Sequence, residues 1–143
     1  MKRIEFGELV IGDVARKNLM HVCDTNWASG GPKVKKLEKE WSKIFDYKRS
    51  VAMSSGTDAV INACLSLYDI AAAQRGDEII VPALSFIATS NAVRAAGFTP
   101  VFVDVKKETL NIDETKIEDA ITDRTVAIMP VHTMGRPAEM DVI

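Results

Sequence analysis

Two cysteines and two histidines in 143 residues leave little from which to build a metal centre. Cys23 and Cys64 form no CxxC pair, so the sequence carries no metal motif, and two cysteines alone define no disulfide. Charge of one sign is missing as well. Eighteen Lys and Arg stand against 20 Asp and Glu, a formal net charge of -2, which gives no basic field for nucleic acid or an anionic membrane. No stretch reaches the apolar length of a membrane helix, and Lys2, Arg3, Glu5 and Glu8 break up the residues where a signal sequence needs an uncharged core. These absences leave small-molecule or protein partners and a reducing cytoplasm as the expected setting. What is present, 47% hydrophobic and 27% charged residues, is enough for one globular domain with a real core.

The chain is organised around Val51-Ala52-Met53-Ser54-Ser55-Gly56-Thr57-Asp58-Ala59-Val60, where a short apolar run gives way to a helical pattern. Strand, turn and helix N-terminus is the reading. The first amides of a helix have no partner within it, Gly56 lets a ligand approach the backbone, and Ser55 and Thr57 offer hydroxyls. With the positive end of the helix dipole, such a corner holds a phosphate without needing an Arg or Lys. Ser-Ser-Gly-Thr is equally an ordinary helix cap, and these four residues alone do not separate the two.

Residues 1–32, punctuated by Gly7, Gly12, Gly30, Gly31 and Pro32, read as an irregular N-terminal arm. Within it, Trp27 is either a surface anchor or an ordinary half-buried Trp. Residues 33–143 form the body. Pro32 suits the first turn of a helix whose Val34, Leu37, Trp41, Ile44 and Phe45 share one face lying on a core. Ser50–Met53 reads as a first buried strand. The helix after it, almost wholly apolar from Ala59 to Leu67, should be covered on most sides, which places its N-terminus near the interior. Ile79–Val81, stopped by Pro82, is a second strand. Ile87–Ala96 is a helix ended by Gly97, Pro100–Val105 a third strand, and Asn111-Ile112-Asp113 the cap of a helix carrying Ile117, Ala120 and Ile121. Thr125–Val131 is the fourth strand. Continuous apolar strands separated by helices predict an α/β fold of three layers, α/β/α, around a mostly parallel sheet. Ligands gather beyond the carboxyl ends of such strands, where Ser54–Thr57, Ala83–Phe86 and His132–Gly135 should meet.

Taken in order, these pieces carry a resemblance. Gly31-Pro32 before an amphipathic helix with Glu38 is followed by Ser55-Gly56-Thr57-Asp58-Ala59 and by Gly76-Asp77-Glu78-Ile79-Ile80-Val81-Pro82-Ala83. Then come Ser85-Phe86-Ile87-Ala88-Thr89, Pro100-Val101-Phe102-Val103-Asp104-Val105, Thr109-Leu110-Asn111-Ile112-Asp113, and Pro130-Val131-His132 with Gly135. The chain resembles the N-terminal part of the large domain of the DegT/DnrJ/StrS-type enzymes, the pyridoxal-phosphate-dependent sugar-nucleotide aminotransferases of fold type I. The resemblance implies pyridoxal 5'-phosphate as cofactor, a keto sugar nucleotide and an amino-acid donor as substrates, and a homodimer with active sites at the subunit interface. It places Ser55, Gly56 and Thr57 at the cofactor phosphate and Phe86 against the pyridine ring, where residues alone would suggest a core Phe. His132 follows a buried strand, facing either the cofactor and sugar or only the backbone. Asp104 and Asn91 read as structural.

A transaminase of this kind needs a lysine to hold the aldehyde as a Schiff base and an acid to keep the pyridine nitrogen protonated. In the family both lie beyond the segment matched here, and no lysine of this chain occupies the Schiff-base position. The expectation is therefore a piece of an enzyme, with no catalytic residue of its own and inactive by itself. The stretch Tyr68–Arg75 resembles the longer loop of the sugar 3-dehydratase relatives, so that branch stands beside the aminotransferases. A stand-alone α/β module that keeps the phosphate corner for binding is the reading from outside enzymology.

Overall fold

Glu78-Ile79-Ile80-Val81-Pro82 puts β-branched side chains on both sides of its pleat, so as a strand it must be covered on both faces. In the computed structural model, which describes Gly7 and residues 9–143, this strand is the middle of a sheet. We label it β1 (Glu78–Pro82), with β2 (Thr99–Val103) and β3 (Thr125–Ile128); the order is β2-β1-β3 and both pairings are parallel. Ile79, Ile80 and Val81 are each wholly buried. The pleat divides them. Ile79 and Val81 join Cys64, Val93, Ala96 and Phe98 on one face, while Ile80 joins Val103, Ile112 and Ile117 on the other.

The described residues form four α-helices: α1 (Asp13–Thr25), α2 (Pro32–Ile44), α3 (Gly56–Ile70) and α4 (Ala88–Ala95). The chain divides into two compact units, Met1–Ala52 and Met53–Ile143, the second holding the sheet with α3 and α4. The first unit contains α1 and α2. Residues read as an irregular arm thus include a helix, whose Val14, Leu19 and Met20 are exposed. Pro32 does open α2, but Leu37, Trp41 and Ile44 are about half exposed or more, so the apolar face of α2 is not laid on a core within this unit.

The second unit meets the expected α/β architecture with three layers and a parallel sheet. α3 and α4 cover one face through Val60, Cys64, Leu67, Val93 and Ala96. Two short 3-10 turns, Glu114–Lys116 and Glu118–Ala120, cover the other. They stand where the sequence predicts an α-helix. Asp113 caps the first turn, accepting from the Thr115 amide, and Ile121 has already returned to extended backbone, so only Ile117 and Ala120 reach the core. The helix α4 ends as expected at Gly97, whose φ of +93° favours glycine. An added Cβ there would also lie 2.9 Å from the Tyr68 hydroxyl, which donates to the Ala96 carbonyl while its ring stacks on Phe98.

The expected first strand, Ser50–Met53, does not form. A strand exists only through a paired neighbour. This stretch is extended but bonds sideways, through the Ala52 amide to the Glu38 carboxylate and Ser42 to Ser50, and Val51 is 70% exposed. The sheet has three strands among the described residues.

At the start of β1 the nearly buried Glu78 carboxylate accepts from the Thr122 hydroxyl and the Arg124 guanidinium, both at 2.6 Å, tying β1 to the approach of β3. These bonds hold its pKa below the usual carboxylate range. A carboxylate depressed on folding stabilises above its unfolded value, about 4.3, and that contribution is lost as pH falls through the lower folded value. Denaturant midpoints measured from about pH 6 to pH 3 should fall more steeply for the native chain than for Glu78→Gln.

Candidate functional site

Ser55 leaves the extended region just before α3, with φ -155° and ψ 165°, and its carbonyl accepts the first helical bond from the Ala59 amide. Its hydroxyl accepts from the Asp58 amide at 3.1 Å. One of the unpaired amides of the first turn is thereby satisfied. Those of Gly56 and Thr57 find no acceptor among the described residues, as the first turn of a helix leaves them. A Cβ added at Gly56 would meet nothing within 4 Å, and Gly56 is exposed. Asp58 binds the Ser54 hydroxyl and sets a carboxylate in the same turn, favourable for the helix dipole and competing with any second anion.

This corner is exposed rather than interior. Ser55 and Gly56 lie at the surface, and of α3 only Cys64 is fully buried, with Leu65 and Ile70 outward. The apolar composition of α3 does not bury it on most sides, because one face meets the sheet and nothing in the second unit covers the other.

The carboxyl ends of β1 and β3 lie at one edge of the sheet because the strands are parallel. The short connection Ala71–Asp77 brings the end of α3 to the start of β1, so α3 begins toward that carboxyl edge. Val60, one turn into α3, packs in the same cluster as Met129, which directly follows β3. Phe86 sits in the loop after β1, 78% exposed, and is not a core side chain. His132, after β3, is also exposed, and its Nδ1 accepts from the Ala138 amide at 3.0 Å. Asp104 bonds the Val105 amide and Lys116, a structural arrangement that holds its carboxyl below the usual range.

Asn111 is the residue whose importance the sequence understates. It is 4% exposed; Oδ1 accepts from the Thr133 amide at 2.8 Å and Nδ2 donates to the Arg136 and Pro137 carbonyls at 3.0 and 2.9 Å. It thereby holds both ends of the segment after His132, in which Met134 has a positive φ of 54°. A polar residue between the apolar Leu110 and Ile112 is the one local signal of this role.

Two lysines of the second unit, Lys106 and Lys116, are held in ion pairs. Lys106 pairs with Glu114, and Lys116 lies 3.3 Å from Asp104 and 3.5 Å from Asp113. Glu114 and Asp104, respectively, hold these ammonium groups above their ordinary pKa, so neither is a free amine near neutral pH. Two cavities, of about 320 and 230 Å3, are lined by the first unit: one by His21, Val22, Thr25, Trp27 and Pro32, the other by Leu37, Trp41 and Val51. Trp27 is 56% exposed and donates to the Gly30 carbonyl. Among the described residues no helix is long and apolar enough to cross a membrane.

Comparison with known proteins places these elements. Residues 10–143 match the model of the DegT/DnrJ/EryC1/StrS aminotransferase family. The spore coat polysaccharide biosynthesis protein SpsC of Bacillus subtilis (strain 168) is 40% identical over 134 residues, which are 94% of this chain and 33% of SpsC. The E. coli GDP-4-keto-6-deoxy-D-mannose-3-dehydratase, solved with bound hydrated PLP, superposes with a TM-score of 0.88 at 33% identity, over 99% of this chain and 37% of the dehydratase. NtdA from Bacillus subtilis, solved with bound PMP, gives 0.83 at 41% identity, over 90% and 28%. The chain thus spans about a third of the length of the curated relative it matches. It is a partial homologue of sugar aminotransferases and dehydratases, and it belongs to the DegT/DnrJ/EryC1/StrS aminotransferase family.

Proposed function

We propose that this chain supplies the cofactor-phosphate corner of a pyridoxal-phosphate-dependent aminotransferase acting on a keto sugar nucleotide, in amino-sugar or polysaccharide biosynthesis. The observation that carries the reading is the pair of unpartnered amides, Gly56 and Thr57, at the start of α3 in a chain of this family. Two free N–H groups, the Thr57 hydroxyl and the helix dipole fit a phosphate, and Gly56 itself carries no side chain to hinder its approach. Ser55 sets the helix end, Phe86 offers an exposed ring for the pyridine face, and exposed His132 follows β3. When bound, pyridoxal phosphate supplies the electron sink for amino transfer. The lysine and the acid that this chemistry requires are not assigned to any residue here.

The full enzyme takes a sugar nucleotide and an amino-acid donor, works in the cytoplasm and is a homodimer. Exposed Val51, Phe86, Ile87 and Phe102 are consistent with association. Light scattering should show self-association of the 143-residue chain; a monodisperse monomer that binds no hydrophobic dye would contradict this. The dehydratase branch is the second reading, favoured by the 0.88 TM-score over 99% of the chain.

The test combines trapping with competition. After incubation with pyridoxal phosphate and reduction by borohydride, peptide mass spectrometry should find no stoichiometric adduct on a lysine. Non-covalent binding should be displaced by inorganic phosphate, and Thr57→Val should weaken it about fivefold by removing one hydrogen bond. A stoichiometric adduct at one lysine, or binding indifferent to phosphate, would contradict the layout.

A further inference from the structure

His132 lies at the carboxyl edge of the sheet with one ring nitrogen already committed. The Ala138 amide donates to Nδ1, and Ala138 is 5% exposed, so this amide has little recourse to water. A nitrogen that accepts carries no proton, and a neutral imidazole then bears its proton on Nε2. The ring is held at both ends of the segment, since buried Asn111 binds the Thr133 amide next to His132 and the Arg136 and Pro137 carbonyls next to Ala138. We propose that His132 is fixed as the Nε2–H tautomer and presents that N–H as an orienting hydrogen-bond donor to an anionic oxygen of the ligand bound at this edge. It binds and orients, and Asn111 is its positioning residue. The ligand half of this inference rests on the function proposed above; the tautomer half does not.

Long-range 1H–15N spectra of the labelled full chain read the tautomer directly. The unliganded protein should show Nδ1 unprotonated and Nε2 protonated, and Asn111→Ala should give a mixture of tautomers; a native Nδ1–H ring would overturn the proposal. His132→Asn keeps a side-chain oxygen where Nδ1 stood, so the Ala138 amide should exchange as in the native chain, whereas His132→Ala should speed it about tenfold. His132→Asn lacks the Nε2 donor and should bind pyridoxal phosphate about fivefold more weakly. If it binds as tightly as the native chain while the Gly56 and Thr57 amides still respond, the donor role is overturned and the cofactor reading survives. If pyridoxal phosphate moves neither those amides nor the His132 ring, the cofactor reading fails and the donor role falls with it.

Discussion

Ile80→Ala should remove about 2–5 kcal/mol of stability, a large part of the roughly 5–15 kcal/mol that holds a domain folded. Ile80 is wholly buried on the central strand and is the residue through which β1 meets Val103, Ile112 and Ile117. It cannot be compensated from the other face, because the pleat sends Ile79 and Val81 to a separate cluster. The loss comprises the transfer of the missing methylenes and the cavity they leave. Urea denaturation should show a lowered midpoint with unchanged slope. Ile70→Ala, at a position 76% exposed on the far side of α3, should stay within about 0.5 kcal/mol of the native chain. Equal losses at the two positions would contradict the assigned core.

Asn111→Leu should cost about 2–4 kcal/mol, although it exchanges a polar residue for an apolar one of similar size in a buried place. The substitution leaves the Thr133 amide and the Arg136 and Pro137 carbonyls without partners, and each buried unpaired group carries a penalty of about 1–3 kcal/mol. Arg136 and Pro137 are themselves exposed, so water recovers part of the loss. Chemical denaturation measures the cost, and amide exchange should show the residues around Thr133 opening well before β1. A variant as stable as the native chain would mean that this segment is not held by Asn111.

The parts of the fold legible in the sequence are those that local chemistry decides. β1 announces itself by a β-branched run closed by Pro82, α4 by its stop at Gly97, and α3 by Ser55, whose hydroxyl caps the helix. What was misread depends on contacts distant in sequence. Ser50–Met53 has the composition of a strand but no partner to pair with, and α3 has the composition of a buried helix but only one covered face. The stretch after Asp113 has helical caps and spacing, yet Ile121 is drawn back to extended backbone ahead of β3, leaving room only for two 3-10 turns. In the candidate site, the corner at Gly56 and Thr57 was legible because a helix N-terminus is a local object. The clamp by Asn111 was not, because its partners lie more than twenty residues away. His132 was legible as a residue at a strand end but not in its tautomer, which the Ala138 amide decides.

The exposure of the proposed phosphate corner limits the affinity expected of it. Free amides at a solvated helix end attract an anion less than buried ones, and Asp58 sets a like charge in the same turn. Asp58→Asn should therefore tighten binding of inorganic phosphate several-fold at low salt, with the gain shrinking as salt rises; titration calorimetry at two ionic strengths checks both.

The most direct measurement is a titration of the 15N-labelled chain with pyridoxal 5'-phosphate, followed at the backbone amides. Gly56 and Thr57 should move first and furthest, with inorganic phosphate producing the same shifts at those two residues and smaller ones at Phe86. Saturable binding that leaves Gly56 and Thr57 unmoved would contradict the assignment of the α3 N-terminus as the cofactor-phosphate site.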